Sequence, residues 1–139
     1  MLLKNSKKYL RRLKRFSKHL EIKIVDSKDC GDGAYFGDLH TIEINFKNSS
    51  STIVGAWLHE LGHALDEAVS SQKQIKSISA SYNRVYIDKA SKADRVIVIE
   101  SEIRAWLYGS VIARALDIPL GKWYDKQKQS SLKNYKENM

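Results

Sequence analysis

The chain has one cysteine, Cys30, in 139 residues, which excludes an internal disulfide and any cysteine-based metal cluster. If a metal is bound, its ligands come from His, Asp or Glu. Long apolar runs are missing as well. No stretch reaches the roughly 18 to 20 apolar residues of a membrane span, and the basic residues 1–18 are not followed by the apolar run of a secretory signal. A cytoplasmic protein is expected, or one exported without a recognisable signal peptide. Acidic residues are scarce at the N-terminal end. Up to residue 28, ten Lys and Arg face only Glu21 and Asp26, which accounts for the whole net charge of +8, while the rest of the chain balances.

With 42% hydrophobic and 29% charged residues, residues 1–139 are expected to form one globular domain around a single core. Residues 6–20 place Tyr9, Leu13, Phe16 and Leu20 at helical spacing, with Lys7, Lys8, Arg11, Arg12, Lys14, Arg15 and Lys18 on the other faces. This spacing predicts a basic amphipathic helix whose apolar stripe docks on the domain and whose cations are solvated. An acidic partner or an anionic membrane surface are the sharper readings. Nucleic acid is not expected, because no interleaving of aromatic and basic residues is present.

"EIKIV" (21–25), the glycine-marked "CGDGAYF" and the alternating "LHTIEINF" predict a small mixed or antiparallel sheet with a hairpin. "KNSSST" (47–52) offers helix N-caps before a helix over 53–69. Residues 70–95 predict short helix and loop. Ile99, Ile103, Leu107, Val111 and Ala115 keep a spacing of four, predicting a helix over about 97–116 that stops before Pro119. Residues 121–139 form a polar tail with Trp123, Tyr124, Leu132 and Tyr135 as weak helical anchors. The class is α+β.

The helix over 53–69 carries "LHELGHALDE". Residues four apart on a helix project from one face about 6 Å apart along the axis, so His59 and His63 can reach one ion. Glu60 is turned to the neighbouring edge of that face, better suited to a metal-bound water than to the ion. Zinc lowers the pKa of such water to about 7 and polarises a scissile carbonyl, while the carboxylate takes the proton and passes it to the leaving amine. The five-residue pattern alone would arise by chance on the order of once in two hundred such chains, so its context matters. Gly62 inside a helix costs roughly 1 kcal/mol relative to Ala, which points to something approaching closely. Leu58, Leu61, Leu65 and Val69 give the helix an independent apolar face, so the histidines are not needed for packing. Asp66 either orients a ligand imidazole or is solvated.

A catalytic zinc site requires a third protein ligand. His19, in the basic helix, and His40, in the hairpin, are poor candidates. Glu100 and Glu102, in "IESEIRAW" on the second strong helix, are better ones. The small Ala105 three residues after Glu102 allows two helices to pack closely, which favours Glu102, with Glu100 as the alternative.

"GAYFGDLHTIEINF" leading into "LHELGHALDE", and then "EIRAW", resembles the catalytic domain of anthrax-lethal-factor-like proteins over residues 20–116. These are gluzincins, zinc peptidases that pair a His-Glu-x-x-His helix with a Glu on a later helix. The repressor-cleaving small metallopeptidases of mobile elements are similar too. The resemblance implies a zincin-like fold, a Zn2+ cofactor held by His59, His63 and Glu102, Glu60 as general base, and a peptide or protein substrate. Asp66 matches an aspartate that follows the motif in the family. The family also has a tyrosine shortly before the glutamate ligand; none stands there, and Tyr82 and Tyr86 are the nearest. A substrate peptide is expected to add to the sheet edge along "TIEINF". The alternative is a catalytically inactive zincin-fold module whose basic helix binds an acidic partner.

Overall fold

Strict alternation in "TIEI" buries Ile42 and Ile44 completely while Thr41 and Glu43 stay half-exposed, as a strand with one core face requires. The computed structural model describes residues 5–137, and in it this strand, β3 (Thr41–Ile44), is central. β1 (Lys23–Asp26) runs parallel to it, with Ile24 opposite Ile42, and β2 (Gly33–Phe36) runs antiparallel, with Tyr35 opposite Ile42. A short 3-10 turn, Gly37–Leu39, joins β2 to β3. The sheet is therefore mixed and three-stranded, in the order β1-β3-β2. β3 cannot serve as an edge for a substrate because both of its sides are paired. The edges of the sheet are β1 and β2, and of the two it is β2 whose residues line the cleft described below.

The described residues also form five helices, α1 (Ser6–His19), α2 (Ser50–Val69), α3 (Gln72–Tyr86), α4 (Lys92–Ala115) and α5 (Lys122–Glu137), of which α1 and α2 pack on the sheet. The class is thus α+β. Each of α2, α3 and α4 begins at a serine whose hydroxyl accepts a backbone N–H three residues on: Ser49 from Thr52, Ser71 from Gln74, Ser91 from Asp94. Ser71 with Gln74 and Ser91 with Asp94 close reciprocal capping boxes, which satisfy otherwise orphaned donors. The two boxes explain two departures from expectation. Residues 72–86 form one continuous helix rather than short helix and loop, and α4 starts at Lys92, five residues earlier than its apolar periodicity indicates.

Of the expected polar tail over 121–139, Lys122–Glu137 form α5 and pack on the domain, and residues 138–139 lie outside the described residues. In α5, Tyr124 is buried, donates a hydrogen bond to the Trp106 carbonyl at 2.6 Å and packs edge-on against the Trp106 ring. α1 docks by Tyr9, Leu13 and Ser17, with Phe16 packed beside them and Leu20 exposed. Ser17 accepts the indole N–H of Trp57 at 2.9 Å. Arg12 donates to the Leu116 and Asp117 carbonyls, meeting unsatisfied groups at the C-terminal end of α4. The core lies between α2 and its neighbours: Leu13 of α1, Ile42 and Ile44 of β3, and Val54, Leu58 and Leu61 of α2. Leu65 is half-buried and Val69 is 63% exposed, so the apolar face of α2 stops a turn short of its end.

Asp94 joins α3 to α4. Its carboxylate accepts from Arg84 Nε at 2.9 Å and NH2 at 2.7 Å, from the Ser81 hydroxyl and from the Ser91 N–H. These bonds, Arg84's first, hold the carboxyl well below the usual carboxylate range. A depressed folded pKa contributes stability above the unfolded value of about 3.9 that is lost as pH falls through the folded value. Asp94→Asn is therefore expected to lower Tm at neutral pH. In thermal melts across pH, the gap to wild type should narrow below about pH 4.

Candidate metal centre

Helices α2 and α4 meet at backbone distance. A Cβ placed on Gly62 would lie 2.7 Å from the Ala105 carbonyl carbon and closer still to its oxygen; one on Gly109 would lie 2.8 Å from the Leu58 carbonyl oxygen. Real side chains do not tolerate such approaches, so both positions require glycine. Leu58 opposite Gly109 and Gly62 opposite Ala105 also show that the helices run antiparallel. One turn beyond the Gly62 contact, Asp66 accepts from Arg104 Nε at 2.8 Å and NH2 at 3.2 Å. Asp66 is buried. It therefore does not face solvent; it clamps α2 to α4, and its charge helps to raise the pKa of His63.

Within this seam Glu102 stands between the two histidines. His59 Nε2 lies 3.0 Å from Glu102 Oε1, and His63 Nε2 lies 2.9 Å from Glu102 Oε2. One ligand atom from each of the three residues fits within 4.8 Å of the others. Two atoms bound tetrahedrally at about 2.0–2.1 Å from one ion stand about 3.3 Å apart; here each imidazole meets a different oxygen of the carboxylate at a slightly shorter distance, and the three-residue set stays within 4.8 Å. Two imidazole nitrogens and a carboxylate oxygen also form a known donor set for a divalent metal. The His-His-Glu group is thus within metal-binding distance, and its residues fit such an ion. Glu100 is exposed, as are His19 and His40, and none of them joins such a group among the described residues.

The surroundings hold these side chains in place. The His59 ring stacks on Trp106 at 4.2 Å and meets His63 edge-on at 4.6 Å. Tyr82 of α3 donates its hydroxyl to Glu102 Oε2 at 2.5 Å. Glu102 is only 2% exposed. Burial works to raise its pKa, but hydrogen bonds and charge from His59 and His63 outweigh that and hold the carboxyl well below its usual range. For His63 burial works downward, and the contact with Glu102 outweighs it, so its pKa is raised. The His59 Nδ1 and Trp106 Nε1 atoms are buried without a hydrogen-bond partner among the described residues.

Glu60 occupies the neighbouring edge of α2 and is 6% exposed. Burial raises its proton affinity; the histidines partly offset this and Glu102 reinforces it. Its side chain lies beneath β2, where a Cβ on Gly33 would come within 3.3 Å of Glu60 Cγ. A cleft of about 1160 Å³ opens over His59, Glu60, His63 and Glu102, bounded by β2, α3 and α5. Of the two tyrosines expected near the site, Tyr82 lines the cleft, whereas Tyr86, one turn later, is 91% exposed. Tyr135 of α5 also lines the cleft. Burial first, then the charges of Glu102 and Glu60, push its hydroxyl pKa up, so it stays a donor. Reading the C-terminal segment as a tail hid this role; the only sequence signal was its spacing from Tyr124 and Leu132.

Gly62→Ala tests the seam. Alanine favours a helix by about 1 kcal/mol, yet overpacking here costs about 1–3 kcal/mol. The variant is expected to be net destabilised in thermal melts and to bind a divalent metal more weakly by calorimetry, because Glu102 is pushed away from the histidines. Comparison with known protein families, with curated proteins and with solved structures found no match, so the reading of this site rests on its own chemistry.

Proposed function

We propose that the chain is a zinc-dependent endopeptidase of zincin-like fold and gluzincin type. The observation that carries this reading is the Glu102 carboxylate shared by His59 and His63, with the Glu60 carboxylate buried beside them and hydrogen-bonded to none of the three. His59, His63 and Glu102 would hold the ion. When bound, zinc lowers the pKa of water to about 7 and polarises a carbonyl oxygen.

The chain's own residues do the rest. Glu60, its proton affinity raised by burial, takes the proton from the attacking water as the new carbon–oxygen bond forms. It then delivers that proton to the amide nitrogen as the carbon–nitrogen bond breaks. Tyr82 is committed to Glu102 and orients that carboxylate. Tyr135 is the donor assigned to the oxyanion that develops on the scissile carbonyl. The substrate backbone lies along the free edge of β2, whose residues line the cleft, and bonds to it as an added strand.

Elemental analysis and a peptide-library digest test this together. Wild type is expected to carry one zinc per chain and to cleave. His59→Ala and His63→Ala should lose both properties. Glu60→Gln should keep the zinc and lose cleavage by roughly 10²- to 10⁴-fold. Undiminished proteolysis by Glu60→Gln would sink the mechanism.

A further inference from the structure

The metal centre makes no use of α1, yet α1 carries seven cations and no acid in a chain of net charge +8. Lys7, Lys8, Arg11, Lys14, Arg15 and Lys18 are exposed. At about 100° per residue these six fall within about a third of the helix circumference, along roughly 16 Å of axis. Tyr9, Leu13 and Ser17, buried against the domain, lie on the opposite side. None of the ion pairs among the described residues involves the stripe.

Such a stripe works against the helix that bears it. Lys7 and Arg11, Arg11 and Arg15, and Lys14 and Lys18 are like charges four apart, which repel. The first turn has no acidic residue and carries Lys7 and Lys8 at the positive end of the helix dipole. A local rule broken repeatedly without internal compensation marks a surface whose compensation comes from a partner. Here that partner is polyanionic.

The kind of polyanion follows from what the stripe lacks. Of the exposed positions of α1 only His19, in its last turn, is not Lys or Arg; the stripe itself offers no Asn, Gln or aromatic side chain to read or stack on a base. A stripe of solvated cations of this kind senses charge density rather than sequence. We propose that α1 is the docking surface for an anionic lipid membrane. Because its apolar face is buried in the core, the contact is electrostatic and does not insert. No helix of the described residues is long and apolar enough to cross a membrane. Ser17 anchors α1 to Trp57, which lies about 160° around α2 from His59. No residue of α1 lines the cleft. Docking through the stripe therefore leaves the cleft facing away from the bilayer.

Vesicle sedimentation of the full chain tests this, comparing phosphatidylcholine alone with phosphatidylcholine containing roughly 30% phosphatidylserine. Binding is expected only with the anionic lipid and should collapse in high salt. Each cation near such a surface is worth about fivefold in partitioning, so Lys7→Gln, Arg11→Gln and Lys14→Gln together should weaken binding about a hundred-fold. The triple variant removes repulsion, so its Tm should equal or exceed that of wild type, separating lost docking from lost folding. Equal binding to neutral vesicles, binding that survives high salt, a triple variant that binds like wild type, or preference for duplex DNA over anionic vesicles at matched ionic strength would each overturn the proposal.

Discussion

The contact on which the rest of the structure depends is the backbone approach of α2 and α4 at Gly62 and Ala105. With any larger residue at either glycine of the seam the helix axes would move apart, and the ion pairs spanning the seam would open with them. Because the helices are antiparallel, His63 and His59 come level with Glu102 and Trp106 respectively. The carboxylate then needs no extended loop to reach the imidazoles. The Asp66–Arg104 pair locks the same register from the other side of the contact. Rigid helices joined at short distance supply the positional accuracy that a metal site demands.

The electrostatics follow from this geometry. Glu102 is buried where an isolated carboxylate would be strongly disfavoured, and it stays ionised because two imidazoles and a phenol donate toward it. Glu60, only a short distance away, has no such donors and is held at higher proton affinity by burial. Two carboxylates lining one cleft are thereby pushed in opposite directions. Environments that separate the pKa values of neighbouring acids divide their chemical roles.

Much of this was legible in the sequence for a physical reason. His59, Glu60 and His63 sit within one helix, where spacing translates directly into geometry. Gly62 signalled a close approach because glycine inside a helix is costly, and Ala105 marked the side of α4 that could come near. What spacing does not encode is pairing between distant elements. β3 looked like an exposed edge, and only the parallel addition of β1, some twenty residues upstream, made it central. Asp66 gave no hint of Arg104, since a salt bridge across 38 positions leaves no local periodic trace. The polar composition of α5 concealed its role because its burial depends on a single face anchored by Tyr124. By contrast, the start of α3 was legible through Ser71 and Gln74, and of α4 through Ser91 and Asp94, had capping been weighed above apolar periodicity.

The seam also has a bearing on heredity. A chain that keeps this helix approach must keep residues without bulk where the backbones touch, whatever happens to its surface. Here that requirement ties the His-Glu-x-Gly-His segment at 59–63 to Glu-x-x-Ala-x-x-x-Gly at 102–109. Linked in this way, the two short patterns form a fingerprint far rarer by chance than either half. Distant kin whose overall sequence has drifted beyond recognition would still be expected to carry it.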